Sequence, residues 1–162
     1  MTAGVTGRTL GLDLGSRRIG VAVSDAGGVL ATPHGVIERS GDEAADHRRI
    51  VELAAELGAE RIVVGLPLSL DGSVGRAAAA ALAEVERLGA TTDLPLDTYD
   101  ERFTTVTADQ HLRASTSSKK TSKKTSRSRR QRIDAAAAAV MLQAWLDGRP
   151  RRNDDPTPRD PA

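Results

Sequence analysis

Three acidic residues far apart in the chain, Asp13, Glu101 and Asp134, offer the chemistry that this sequence could perform. Asp13 sits in the run Thr9-Leu-Gly-Leu-Asp13-Leu-Gly15, where Leu10, Leu12 and Leu14 alternate and share one face of a strand, so the carboxylate takes the other face. An ionised carboxylate within an apolar strand is costly unless it is paired or binds a cation. Glu101 directly follows a predicted strand, and Asp134 stands where the last helix is expected to open, a place where the helix dipole favours negative charge. Brought together, three carboxylates make a hard oxygen site of the kind Mg²⁺ or Mn²⁺ prefers. Two such ions, about 3.5–4 Å apart, can activate water and stabilise the leaving oxygen of a phosphodiester. Each acid also has a plainer reading: a solvated strand residue for Asp13, a surface residue beside a nearby arginine for Glu101, an N-cap for Asp134. His34, His47 and His111 have no metal-binding spacing and read as surface or loop residues. The chain has no cysteine, which excludes disulfides and thiolate metal sites.

A net charge of +1 conceals a sharp asymmetry. All the lysines, Lys119, Lys120, Lys123 and Lys124, lie in one segment together with Arg113, Arg127, Arg129, Arg130 and Arg132. No acidic residue interrupts this segment between Gln110 and Ile133, and the rest of the chain carries about eight net negative charges. A basic strip on an acidic body suits a polyanionic partner, with a solvated, disordered loop as the alternative. With one Phe, one Trp and one Tyr, the chain lacks the aromatic platforms on which single-stranded bases stack. No apolar run approaches the roughly 20 residues of a membrane span, and Met1 to Arg8 lacks the apolar core of a signal peptide. The expectation is a soluble, cytoplasmic protein with no membrane partner.

The elements that must position the acids follow from periodicity and turn signals. Leu10–Leu14 and Ile19–Val23 read as two strands of a hairpin, with Gly15 at the turn in a backbone conformation that other residues resist. Val29 to Ile37 reads as a third strand that Pro33 confines to an edge or a bulge. Ser40-Gly-Asp-Glu43 has the capping-box pattern, and Ile50, Leu53, Ala54 and Leu57 follow at helical spacing up to Gly58. Arg61 to Gly65 predicts a strand buried on both faces, Arg76 to Leu88 a second helix, and Leu96 to Tyr99 a fifth strand. A third helix is expected from Thr104 or Thr105 to Arg113, and a last one from Arg132 to Leu146. Together these make one α/β domain over residues 1–148, a mixed five-stranded sheet flanked by helices. A disordered Pro- and Asp-rich tail is expected over 149–162.

Four blocks carry a resemblance: Gly11-Leu-Asp13-Leu-Gly15 through Arg18-Ile-Gly-Val-Ala-Val-Ser-Asp25; Val63-Val-Gly-Leu-Pro-Leu-Ser-Leu-Asp-Gly72; Asp100-Glu-Arg-Phe-Thr-Thr105; and Ile133-Asp-Ala-Ala-Ala-Ala-Ala-Val-Met-Leu-Gln143. In this order, from Thr9 to Leu146, they resemble the YqgF/RuvX family, Holliday-junction-resolvase-like proteins also described as pre-16S ribosomal RNA nucleases. The resemblance implies an RNase H-like fold and a divalent-metal endonuclease acting on structured nucleic acid, precursor rRNA or branched DNA. It assigns the family's three metal-binding acids to Asp13, Glu101 and Asp134. Arg102 matches the same motif as Glu101 and is expected at phosphate or paired with Asp100 or Glu101. The basic residues Lys119, Lys120, Lys123, Lys124, Arg127, Arg129, Arg130 and Arg132 are expected to hold the phosphate backbone. The chain departs from the family in a longer, low-complexity segment over Ser115 to Gln131. Two other readings compete. A nucleotide-binding fold of the actin and sugar-kinase kind also places Asp-x-Gly after a strand but needs two domains. A non-catalytic nucleic-acid-binding module needs only the basic strip. A symmetric junction as substrate suits a homodimer, a trimming reaction a monomer.

Overall fold

A computed structural model describes residues 7–67, 75–100 and 123–149. Five strands, β1 (Arg8–Leu14), β2 (Arg18–Ser24), β3 (Ala31–Glu38), β4 (Ala59–Leu66) and β5 (Leu96–Asp100), form one sheet in the order β3-β2-β1-β4-β5. β2 runs antiparallel to β1 and β3, while β1, β4 and β5 are parallel. The sheet is therefore mixed and five-stranded, as the sequence predicts. β3 is an edge strand, and its register against β2 shifts between Val21 and Ala22, opposite Pro33. A residue without an N–H interrupts a ladder least at such a place.

Alternation sorts the side chains into two cores. Leu10, Leu12, Ile19, Val21, Ile62 and Val64 point to one face, where α1 (Glu43–Glu56) supplies Ile50, Leu53 and Ala54 and α2 (Arg76–Gly89) supplies Leu88. Ala22, Val63 and Tyr99 point to the other face, against Ala138, Ala139, Met141, Leu142, Trp145 and Leu146 of a third helix, α3 (Lys123–Asp147). The side chain of Gln143 fastens α3 to the start of β3, accepting from the Ala31 N–H at 2.9 Å and donating to the Val29 carbonyl at 2.9 Å. Near the helix's end, the Trp145 indole N–H donates to Asp97 of β5 at 3.0 Å.

Three local expectations are corrected. The cap of α1 is Asp42, whose side chain accepts from the N–H groups of Ala44 and Ala45, and Ser40 instead bonds to Asp46. A side-chain acceptor two residues closer to the helix displaces the capping-box residue. Gly15 does not take a positive φ. It is required by a close approach, since a Cβ there would lie 2.5 Å from the Arg18 carbonyl oxygen. The last helix begins nine residues before Arg132, so residues 123–131 of the supposed linker are helical. The stop at Gly58 holds, with φ +67 just past the Leu57 C-cap. The helix expected between Thr104 and Arg113 and the tail from Pro150 onward lie outside the described residues.

Candidate active site

Asp13 occupies the central, third position in a row of register partners that crosses the sheet: Tyr99, Gly65, Asp13, Gly20 and Val36, read from β5 to β3. A glycine stands beside it on either neighbouring strand, so no side chain crowds the half-buried carboxylate from the adjacent strands. The same glycines leave the surface low enough for α3 to approach. A Cβ on Gly20 would collide with the Asp134 backbone carbonyl and stand 3.5 Å from the Asp13 Cβ. A Cβ on Gly11 would lie 2.9 Å from the Leu142 Cβ, two helical turns further along. Gly20 is thus the point at which β1, β2 and α3 bring two distant acids together.

Asp134 is half-buried, and its Oδ2 accepts from Arg18 Nε at 2.7 Å. Hydrogen bonding to Asp134 raises the Arg18 guanidinium above its ordinary pKa. Arg18 was not singled out from sequence. Its signal was the alternation Arg18, Gly20, Ala22, which sets it on the face of Asp13 and opposite Ile19, Val21 and Val23. The N-cap reading of Asp134 is overturned: the residue lies inside α3, eleven positions after Lys123. A dipole argument for this carboxylate therefore lapses, because the effect fades within the first turn.

The remaining site residues divide sharply. Glu101, Arg102, Lys119 and Lys120 lie outside the described residues. Lys123 and Lys124 begin α3, while Arg127, Arg129, Arg130 and Arg132 are exposed along its first turns. Arg127 lies 3.4 Å from Glu38, which also accepts from Gln131 at 3.3 Å.

A second charged group lies on the opposite face. Glu43, His47 and Glu84 offer ligand atoms within 4.8 Å of one another. Cations already serve these acids: Arg39 forks onto Glu84 at 2.6 and 3.0 Å, and Arg87 pairs with Glu43. His47, expected at the surface, is 2% exposed and bonds Glu84 through Nε2 at 3.1 Å. Burial alone would raise the Glu84 pKa, but the hydrogen bonds from Arg39 and His47 outweigh it and hold the carboxyl below its ordinary value. Arg39 also donates to the Gly15 carbonyl at 3.1 Å, so this group braces the β1–β2 turn from behind. It reads as an ion-pair network rather than a metal centre.

By contrast, Asp13 and Asp134 on the α3 face offer carboxylate oxygens, the donors a hard divalent cation prefers, with Gly20 between them and Arg18 on one oxygen of Asp134. No helix among the described residues is long and apolar enough to cross a membrane.

Residues 7–148 match the family model RuvX, described as Holliday junction resolvase. A Rhodococcus opacus protein named "Putative pre-16S rRNA nuclease" is 46% identical over 149 residues, 90% of this chain and 80% of that protein. A Thermobifida fusca protein of the same name is 46% identical over 143 residues, 88% of each. The solved structure of Thermus thermophilus RuvC in complex with Holliday junction substrate is similar at a TM-score of 0.49 and 16% identity, over 86% of this chain and 93% of that one.

Proposed function

The chain belongs to the RuvX family of Holliday junction resolvases and is a nuclease, and we propose that it is a divalent-metal-dependent endonuclease whose substrate is the precursor of 16S ribosomal RNA. The observation that carries this reading is the meeting of Asp13 and Asp134 over Gly20, two acids separated by more than a hundred residues in sequence. Glu101 is the third acid of the proposal; it directly follows Asp100, where β5 ends beside Leu66, one register step past the row that holds Asp13. The name shared by the curated relatives supports RNA as substrate, and a ribosomal RNA substrate supports the cytoplasm as the place of action.

In this mechanism Asp13, Glu101 and Asp134 hold Mg²⁺ or Mn²⁺, which when bound supplies an activated water and charge stabilisation for the leaving oxygen. Arg18 donates to Oδ2 of Asp134 and so fixes the orientation of that carboxylate. Arg102, Lys119, Lys120, Lys123, Lys124, Arg127, Arg129, Arg130 and Arg132 supply cations for the phosphate backbone, which lends binding a steep salt dependence. Branched DNA is the second reading, favoured by the family description.

The test is cleavage of a panel containing precursor 16S rRNA, a four-way DNA junction and single strands, with Mg²⁺ or Mn²⁺, by the protein and by Asp13→Asn. The expected result is metal-dependent cleavage of the precursor RNA, lost in the variant by a factor of 10² or more. Undiminished cleavage by Asp13→Asn removes the mechanism. Salt-sensitive binding without cleavage of any substrate leaves a binding module.

A further inference from the structure

A cleft of about 490 Å³ runs between the edge strand β3 and the first turns of α3. One wall is Ser128, Gln131, Arg132 and Ala135, an i, i+3, i+4, i+7 stripe on a single helix face. The other wall is Pro33, His34, Gly35 and Val36. The register explains why His34 is there. Val21 pairs with Gly35 and Ala22 with Pro33, so His34 is the extra residue of a bulge, opposite no partner on β2. Bulges re-aim side chains, and they gather beside active sites.

The cleft's lining adjoins the acids along the sheet and along the helix. Val36 lies in the same cross-strand row as Gly20 and Asp13, and Ala135 follows Asp134. Its lining contains no carboxylate. It offers a guanidinium, an amide, a hydroxyl and an imidazole, spaced by the apolar surfaces of Pro33, Val36 and Ala135. Arg132 has no ion pair among the described residues, unlike Arg127, which Glu38 engages. With no Phe, Tyr or Trp in the lining, the cleft offers mainly hydrogen bonds and charge, which suit a sugar–phosphate backbone better than a stacked run of bases.

We propose that this cleft seats the backbone of a single nucleic-acid strand next to the scissile phosphate, with Arg132 and His34 on its phosphates and Gln131 and Ser128 on its sugar oxygens. The proposal rests on the nuclease reading and adds a path to it. Within the basic strip it singles out Arg132, two residues before Asp134 in sequence, and joins to it a histidine from a different element.

The experiment measures binding of a labelled single-stranded RNA by fluorescence anisotropy, with EDTA present to prevent cleavage, across a salt series. The variants are Arg132→Ala, His34→Ala, Ser128→Glu and Ser128→Lys, with Arg48→Ala on the exposed far side of α1 as control. Arg132→Ala and Ser128→Glu each weaken binding about 3- to 10-fold, Ser128→Lys strengthens it, and Arg132→Ala lowers the salt slope by about one. In cleavage assays the losses fall on KM. An unchanged Kd in both Ser128 variants, or an equal loss in Arg48→Ala, overturns the cleft. If the Ser128 variants change nothing while Asp13→Asn still abolishes cleavage, the cleft falls and the nuclease reading stands. If the parent protein neither binds nor cleaves, both fall.

Discussion

A hydrogen atom in place of a side chain at Gly20 sets the distance between Asp13 and the backbone of Asp134. Gly20→Ala must push α3 away from the sheet, which overpacking data price at about 1–3 kcal/mol of stability. Cleavage should fall much further than that loss suggests, because both acids shift; thermal denaturation beside a cleavage assay separates the two effects. Arg18→Gln keeps the length of the side chain's stem but gives up the charge that Asp134 faces at 2.7 Å. We expect a lower kcat with a folded protein, read by kinetics together with circular dichroism. Thr9 offers a control far from chemistry: its hydroxyl is buried with no hydrogen-bond partner among the described residues. Thr9→Val removes an unsatisfied polar atom and should stabilise the fold by about 1 kcal/mol, measurable by urea unfolding. At this scale the sequence showed Asp13 clearly, since a carboxylate among alternating leucines breaks a pattern. It hid Arg18 and His47, because each owes its role to a partner on another element, Asp134 and Glu84, that no local spacing reveals.

Elements were legible where an apolar period marks them. β1, β2 and β4 and the core-facing stripe of α1 follow directly from alternation and helical spacing. The first turns of α3 were not, because residues 123–131 hold Lys, Thr, Ser, Arg and Gln and no apolar residue, so nothing separates a solvated helix from a loop. The brace behind the hairpin was equally invisible, as Arg39, Glu84 and Gly15 come from three places in the chain. Arg39→Ala leaves Glu84 enclosed with only His47 as partner and should cost up to about 3 kcal/mol. The same network predicts an acid limb to stability. The native Glu84 pKa lies below its unfolded value, so its contribution is complete above about pH 4.3 and disappears as the pH falls toward the native pKa. Unfolding of Glu84→Gln should show a shallower decline across that range than unfolding of the parent protein.

For the molecule as a whole, the two faces of the sheet divide the labour. The α1–α2 face holds most of the large aliphatic residues and the Arg39–Glu84 ion pair, and the α3 face holds Trp145 and its neighbours at one end and Asp13, Asp134 and Arg18 at the other. Charge asymmetry in the sequence predicts one region for a polyanion, and the described part of that region, Arg127 to Arg132, lies on α3, the helix that packs on the Asp13 face of the sheet. Because α3 is one uninterrupted helix, Lys123 stands about 16 Å along its axis from Asp134, at 1.5 Å per residue. If its cations hold the substrate as proposed, the helix would act as a ruler, with its seat on Gly20 at one end and the cations at the other. Lengthening it by one turn between Arg130 and Gln131 would move the outer grip by about 5.4 Å while the cutting end stayed in place. Cleavage products offset by a nucleotide, rather than merely fewer of them, would be the mark of an enzyme that measures its substrate.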